Sequence, residues 1–158
     1  TEILSHIDKD NQPQMVDISE KNPSFRLAHA QAIVEFPQNI SKRFKDGDIT
    51  TSKGPVFQTA IIAGVMAAKK TSDLIPFCHS LSLSDCKITI ALNKEGNAVI
   101  DCVCKVMHST GVEMEALLGA NIAALTIYDM CKALSHKMVI NQTRLIEKKG
   151  GKKDFELG

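Results

Sequence analysis

Residues 86–107 read CKITIALNKEGNAVIDCVCKVM. Apolar and polar side chains alternate with period two in CKITIAL and again in AVIDCVCKVM, around the turn-like NKEGN. That period sends successive residues to opposite faces of a pleated strand, so the segment is predicted to be an antiparallel hairpin. Ile100, Cys102, Cys104 and Val106 then share one face, which has to be covered.

The flanking segments supply the cover. PVFQTAIIAGVMAAKKT is predicted to be a helix opened by Pro55, since proline fits the first helical position. Lys69 and Lys70 close it with the charge that suits a C-terminal dipole. After the hairpin, GVEMEALLGANIAALTIYDMCK is predicted to be a second, longer helix running to about Ser135. AHAQAIVEF, ending before Pro37, reads as a first strand, and QTRLIEKK as a last one. Residues 72–85, SDLIPFCHSLSLSD, are irregular around Pro76, and 38–54, QNISKRFKDGDITTSKG, are expected to form a mobile loop.

The order is β-α-β-β-α-β in a single domain, 1–158, with a polar arm at 1–25 and a flexible basic tail at 148–158. Right-handed crossovers put both helices on one face of an antiparallel sheet, the α+β ferredoxin-like plan. Ala60, Ala63, Gly64 and Ala67 on one helix, and Gly119, Ala120, Ala123 and Ala124 on the other, would let the backbones approach closely.

Composition excludes several classes. The 158 residues carry 19 basic and 18 acidic side chains, a net charge of +1, so no overall field draws the chain to nucleic acid or membrane. No apolar run reaches the roughly 18 residues of a membrane span. The opening TEILSHIDKDNQPQ lacks an apolar core, so no secretory leader is expected. Five cysteines without a CxxC pair suggest reduced thiols in a cytosolic protein. Aromatics make up 4% of the chain and are missing from the central strands, which argues against an RNA-recognition domain of the same topology.

The second helix carries ionisable groups that burial alone does not explain. Thr110 and Glu113 have capping-box spacing, with Thr110 as cap and Glu113 reaching back. Glu115, Asp129 and Lys132 fall on one stripe at about 100° per residue. Yet the 14 residues from Glu115 to Asp129 span about 21 Å of helix, so no small reacting centre in one subunit touches both. Either the ligand is long or two chains build the site. The plain alternative for Asp129 and Lys132 is an i,i+3 surface ion pair worth about 0.2–0.5 kcal/mol. A half-buried carboxylate beside a lysine would instead have both pKa values moved, as proton transfer requires.

Lys53 precedes Gly54-Pro55 at a helix start, where a cation opposes the dipole unless an anion joins it. Its plain alternative is a solvated loop lysine. The tail KKGGKK lacks the order of a P-loop and reads as solvated. Cys78 and His79 stand in the irregular segment; zinc there would need two more ligands, and Cys102 and Cys104 read as core packing instead. His79 is better suited to carry a proton or donate to a phosphate. The residues by themselves thus stop at a cytosolic α+β domain equipped for an anionic, proton-rich reaction.

LIPFCH, GVEMEAL and AALTIYDMCKA together resemble the molybdenum cofactor biosynthesis protein C family, the cyclic pyranopterin monophosphate synthases. The resemblance runs from HIDKDNQPQMVDIS through KGPVF and AGVMAAKKT to KGGKKDF. It implies a ferredoxin-like subunit in a homohexamer, a trimer of dimers, with active sites at a dimer interface. It also implies a lyase reaction. A cyclic dihydroguanosine triphosphate, made by a radical enzyme that cyclises GTP, is rearranged to cyclic pyranopterin monophosphate with release of pyrophosphate.

On this resemblance Asp129, Lys132 and Lys53 match the catalytic positions. Phe77, Cys78, His79, Met114 and Glu115 match substrate-binding positions, and Glu113, Arg26 and Lys152 match further polar positions of the pocket. No resident metal is implied, and the sequence leaves open whether Mg²⁺ accompanies the triphosphate. Ser109, Ser80 and Pro55 depart from the usual lysine, proline and acid at their positions. Opening and reclosing a guanine-derived ring moves several protons, and expelling pyrophosphate concentrates negative charge, so lysines, histidine and carboxylates suit it. The expected division has Asp129 and Lys132 at the ring end, with His79 and lysines at the phosphates. Rival readings are a non-catalytic ligand-binding module of the same fold and a metal-binding role for the cysteines.

Overall fold

A computed structural model describes residues 4–158. Along the chain lie β1 (Ser24–Glu35), α1 (Gln38–Ser41), β2 (Thr50–Thr51), β3 (Gly54–Pro55), α2 (Val56–Lys69) and α3 (Thr71–Leu74). Then follow β4 (Asp85–Leu92), β5 (Ala98–His108), α4 (Glu113–Cys131), β6 (Val139–Lys149) and β7 (Phe155–Glu156). The strands form an antiparallel sheet in the order β4-β5-β1-β6-β7, with a separate β2-β3 ribbon. The four long strands with α2 and α4 make the βαββαβ arrangement that the hairpin and flanking helices predict.

Alternation decides which face is dry. Ala28, Ala30, Ala32 and Val34 of β1, and Ala98, Ile100, Cys102, Cys104 and Val106 of β5, are buried beneath the helices. Between them β1 and β5 hold mostly small or β-branched side chains, so the helices sit low on the sheet. On the opposite face the strands carry polar groups, including His29 Nε2 at 2.7 Å from Asp101 Oδ1.

The small residues of α2 and α4 meet as expected. A Cβ on Gly64 would lie 2.8 Å from the Gly119 carbonyl oxygen and would collide with Ile88 Cδ1. One on Gly119 would lie 2.8 Å from Cys102 Sγ. Gly64→Ala gains about 1 kcal/mol of helix propensity but overpacks a site closed by backbone, a cost of about 1–3 kcal/mol. Urea unfolding is expected to give a net loss of up to about 2 kcal/mol.

Three expectations need correction. Residues 38–54 are built, because Ile40 and Ile49 are buried and Phe44 packs between Phe36 and Phe57 at centroid distances of 5.4 and 5.0 Å. Asp48 then accepts the Ile49, Phe57 and Gln58 amides at 2.7, 2.8 and 3.3 Å, satisfying free N–H groups at the start of α2. The capping box at Thr110 does not form: α4 begins at Glu113 after Val112, without a side-chain cap, and Glu113 pairs with Lys148 instead. The termini also differ. Of the arm at 1–25, residues 1–3 lie outside the described residues, while Ser24 and Phe25 already belong to β1. In the tail, β6 continues through Lys149, and Phe155 pairs back on Lys148. Gly150 makes that turn at φ 90°, where a Cβ would collide with the Phe25 carbonyl.

Candidate active site

The candidate residues separate into two groups at opposite ends of α4. At its C-terminal end, Asp129 accepts from two lysines: Lys132 Nζ lies 2.8 Å from Oδ1 and Lys53 Nζ lies 2.9 Å from Oδ2. The first contact is the i,i+3 pair that helical spacing dictates. The second comes from the β2-β3 ribbon, 76 residues away in sequence. Gly54 follows Lys53 at φ 107°, so the ribbon turns there in a way glycine tolerates. Lys53 therefore meets its anion in a carboxylate from another element rather than at the α2 terminus.

The three side chains are about half exposed, so Asp129 is less enclosed than its apolar neighbours suggest. Hydrogen bonds from Lys132 and then Lys53 pull its carboxyl down to about 2. The same bond to Asp129 raises the Lys132 ammonium above the ordinary lysine value. At neutral pH the cluster is a carboxylate clamped between cations.

At the N-terminal end of α4 a cleft of about 270 Å³ is lined by Phe77, Cys78, His79, Glu113, Met114 and Glu115. The irregular segment around Pro76 brings the first three against the first turn of α4. His79 Nε2 donates to the Val16 carbonyl at 2.6 Å, and Ser109 Oγ donates to the Lys21 carbonyl at 3.0 Å. These bonds hold the arm over the cleft, where His6, Val16 and Lys21 complete its wall. Composition hid these arm residues, because a polar stretch without periodicity carries no sign of where it docks.

Glu115 is buried, and burial pushes its carboxyl up to about 7, with the Glu113 charge adding to the rise against a backbone hydrogen bond. Burial and then the charges of Glu115 and Glu113 raise the Cys78 thiol, so it is not an activated thiolate. The sign for stability follows. Between the ordinary 4.5 and about 7, the folded chain binds more protons at Glu115 than the unfolded chain. This contribution is full below 4.5 and is lost as pH rises to about 7. Glu115→Gln is expected to remove a stability loss on the order of 2 kcal/mol between about pH 5 and pH 8, read by denaturant titration at each pH.

Arg26 and Lys152 lie outside this cleft. Arg26 Nε donates to Ser24 Oγ at 3.1 Å, and its guanidinium runs beside Gly151. Lys152 is exposed in the β6-β7 turn. Beside it a second cleft, of about 350 Å³, is lined by Glu113, Leu145, Lys148, Lys153, Asp154 and Phe155. Glu113 borders both clefts, and Lys148, 3.2 Å from its carboxylate, is a cation of the KKGGKK stretch that the sequence assigned to a solvated tail. Within one chain, α4 keeps Glu115 and Asp129 about 21 Å apart.

Residues 15–151 match the MoaC family. The chain is 48% identical to a protein of Xanthomonas axonopodis named cyclic pyranopterin monophosphate synthase, over 96% of this chain and 92% of that protein. It is 51% identical to a molybdenum cofactor biosynthesis bifunctional protein of Synechocystis, over 96% of this chain and 45% of that one. Identity is 49% to molybdenum cofactor biosynthesis protein 1 of Dictyostelium discoideum, over 94% of this chain and 26% of that one. The chain thus spans about a quarter and under half of these last two relatives. The match covers both ends of α4, the Lys53 ribbon and the cleft wall from Met15 onward, and on it the chain belongs to the MoaC family.

Proposed function

We propose that the chain is a cyclic pyranopterin monophosphate synthase of molybdenum cofactor biosynthesis. It converts (8S)-3',8-cyclo-7,8-dihydroguanosine 5'-triphosphate to cyclic pyranopterin monophosphate and pyrophosphate. The carrying observation is the Lys53–Asp129–Lys132 cluster, assembled from two distant parts of the chain into a half-exposed site. Its charges suit the reaction. Both lysines enter as ammonium groups and serve as acids toward the rearranging ring, while Asp129 fixes their positions as an anion.

The 21 Å between the two groups is bridged by assembly. One protomer supplies Phe77, Cys78, His79, Glu113, Met114 and Glu115, and its partner supplies the lysine–aspartate cluster, in a homohexamer built as a trimer of dimers. Ring chemistry takes place at Asp129 and Lys132. His79 and lysines serve the phosphate end. A phosphate on His79 Nε2 takes the place of the Val16 carbonyl, so substrate entry frees the arm there. Where Mg²⁺ accompanies the triphosphate, the phosphate oxygens would hold it; among the described residues the one group spaced to hold a metal is made of soft thiols, unsuited to it. The enzyme works in the cytoplasm after a radical GTP 3',8-cyclase that makes its substrate.

The test is incubation of the purified chain with the cyclic dihydro-GTP intermediate, with pyrophosphate and pyranopterin measured together. Equimolar release of both supports the assignment. Binding without either product makes the chain a ligand-binding module.

A further inference from the structure

The sulfur atoms of Cys86, Cys102 and Cys104 come together on the face of the sheet covered by the helices, and none of the three residues lines a cleft. Cys86 of β4 stands opposite Cys104 of β5 in the register, and Cys102 is two residues away on the same face. The Cys86–Cys104 Sγ separation is 3.7 Å and the Cys102–Cys104 separation is 3.9 Å. All three sulfurs lie within 4.8 Å of one another. Sequence spacing hid the trio, because Cys86 is joined to the other two only by strand pairing.

We propose that these three thiols form a site for a thiophilic d¹⁰ divalent ion, zinc in kind. Zinc–thiolate bonds of about 2.3 Å in tetrahedral geometry place neighbouring sulfurs about 3.8 Å apart, close to the two separations that Cys104 makes. Cys102 and Cys104 are fully buried and Cys86 is partly exposed, so a fourth position opens on the Cys86 side, where water completes the shell. Three thiolates around a divalent cation leave one negative charge. The Lys69 ammonium, at the end of α2, acts on Cys86 with the opposite sign. Cys86 is the one sulfur of the three on a partly exposed residue, while Cys102 and Cys104 lie fully buried behind it. Metal entry therefore begins at the outermost sulfur, and each remaining thiol passes its proton to water as it coordinates. The bound ion pins the edge strand β4 to β5 beneath Gly119.

The experiment is anaerobic titration of the full reduced chain with Cd²⁺, following the ultraviolet thiolate-to-cadmium charge-transfer band, with Zn²⁺ competing. The expected result is saturation at one ion per chain with the intensity of three thiolates, reversed by Zn²⁺. Cys86→Ser is expected to weaken binding at least tenfold, about the loss seen when a metal site loses support. Cys78→Ser leaves the band unchanged. The parent band needs no variant to be read. Its absence, its survival in Cys86→Ser, or its loss in Cys78→Ser overturns the site.

Discussion

Asp129→Asn is expected to lower turnover by about 10²- to 10⁴-fold while leaving the far-ultraviolet circular dichroism and melting temperature nearly unchanged. The substitution keeps the shape of the side chain and removes its charge. Asp129 is half exposed at the end of α4, away from the buried face carrying Ala116, Ala120, Ala123 and Ile127, so the fold does not depend on it. What depends on it is the placement of two ammonium groups. Lys132 and Lys53 lie 2.8 and 2.9 Å from its two oxygens, and a neutral amide carries no charge and turns a donor NH₂ toward one of them. Turnover within a few fold of the parent would remove Asp129 from the mechanism.

Lys53→Ala is expected to cause a loss of similar size, although Lys53 lies on a two-stranded ribbon outside the main sheet. The double variant Lys53→Ala with Asp129→Asn then costs little more than either single change, because residues acting as one unit are not additive. A double loss equal to the product of the singles would mean that the two side chains act independently. That result would break the link between the observed ion pair and the chemistry.

These contacts also mark how far the residues could be read in advance. Period-two alternation in β4 and β5 and apolar runs in α2 and α4 are local patterns, and they yield the βαββαβ order directly. The glycine pair Gly64 and Gly119 was legible for a related reason: small residues on two covering helices have few other uses. Asp129–Lys132 follows from helical spacing alone. Lys53–Asp129 does not, since no local rule brings together residues on a ribbon and a distant helix end. Asp48 illustrates the same limit, because its oxygens serve amides up to ten residues away only after Ile40, Phe44 and Ile49 have buried themselves. Thr110 shows the reverse error. The capping-box spacing was present, but Val112 takes the terminal position and Glu113 turns to Lys148.

The family motifs lead one to expect site residues at both ends of α4, and geometry constrains how they could cooperate. A rigid helix keeps Glu115 and Asp129 about 21 Å apart, so the account stands on a site shared between chains. The direct measurement uses two variants, Asp129→Asn and Glu115→Ala, each inactive alone, unfolded together and refolded as mixed assemblies. If each site takes Glu115 from one protomer and Asp129 from its partner, random pairing restores about a quarter of the sites to the parent arrangement. The account predicts turnover near that fraction of the parent. A mixture no more active than its components would place both residues in one chain's site and contradict it.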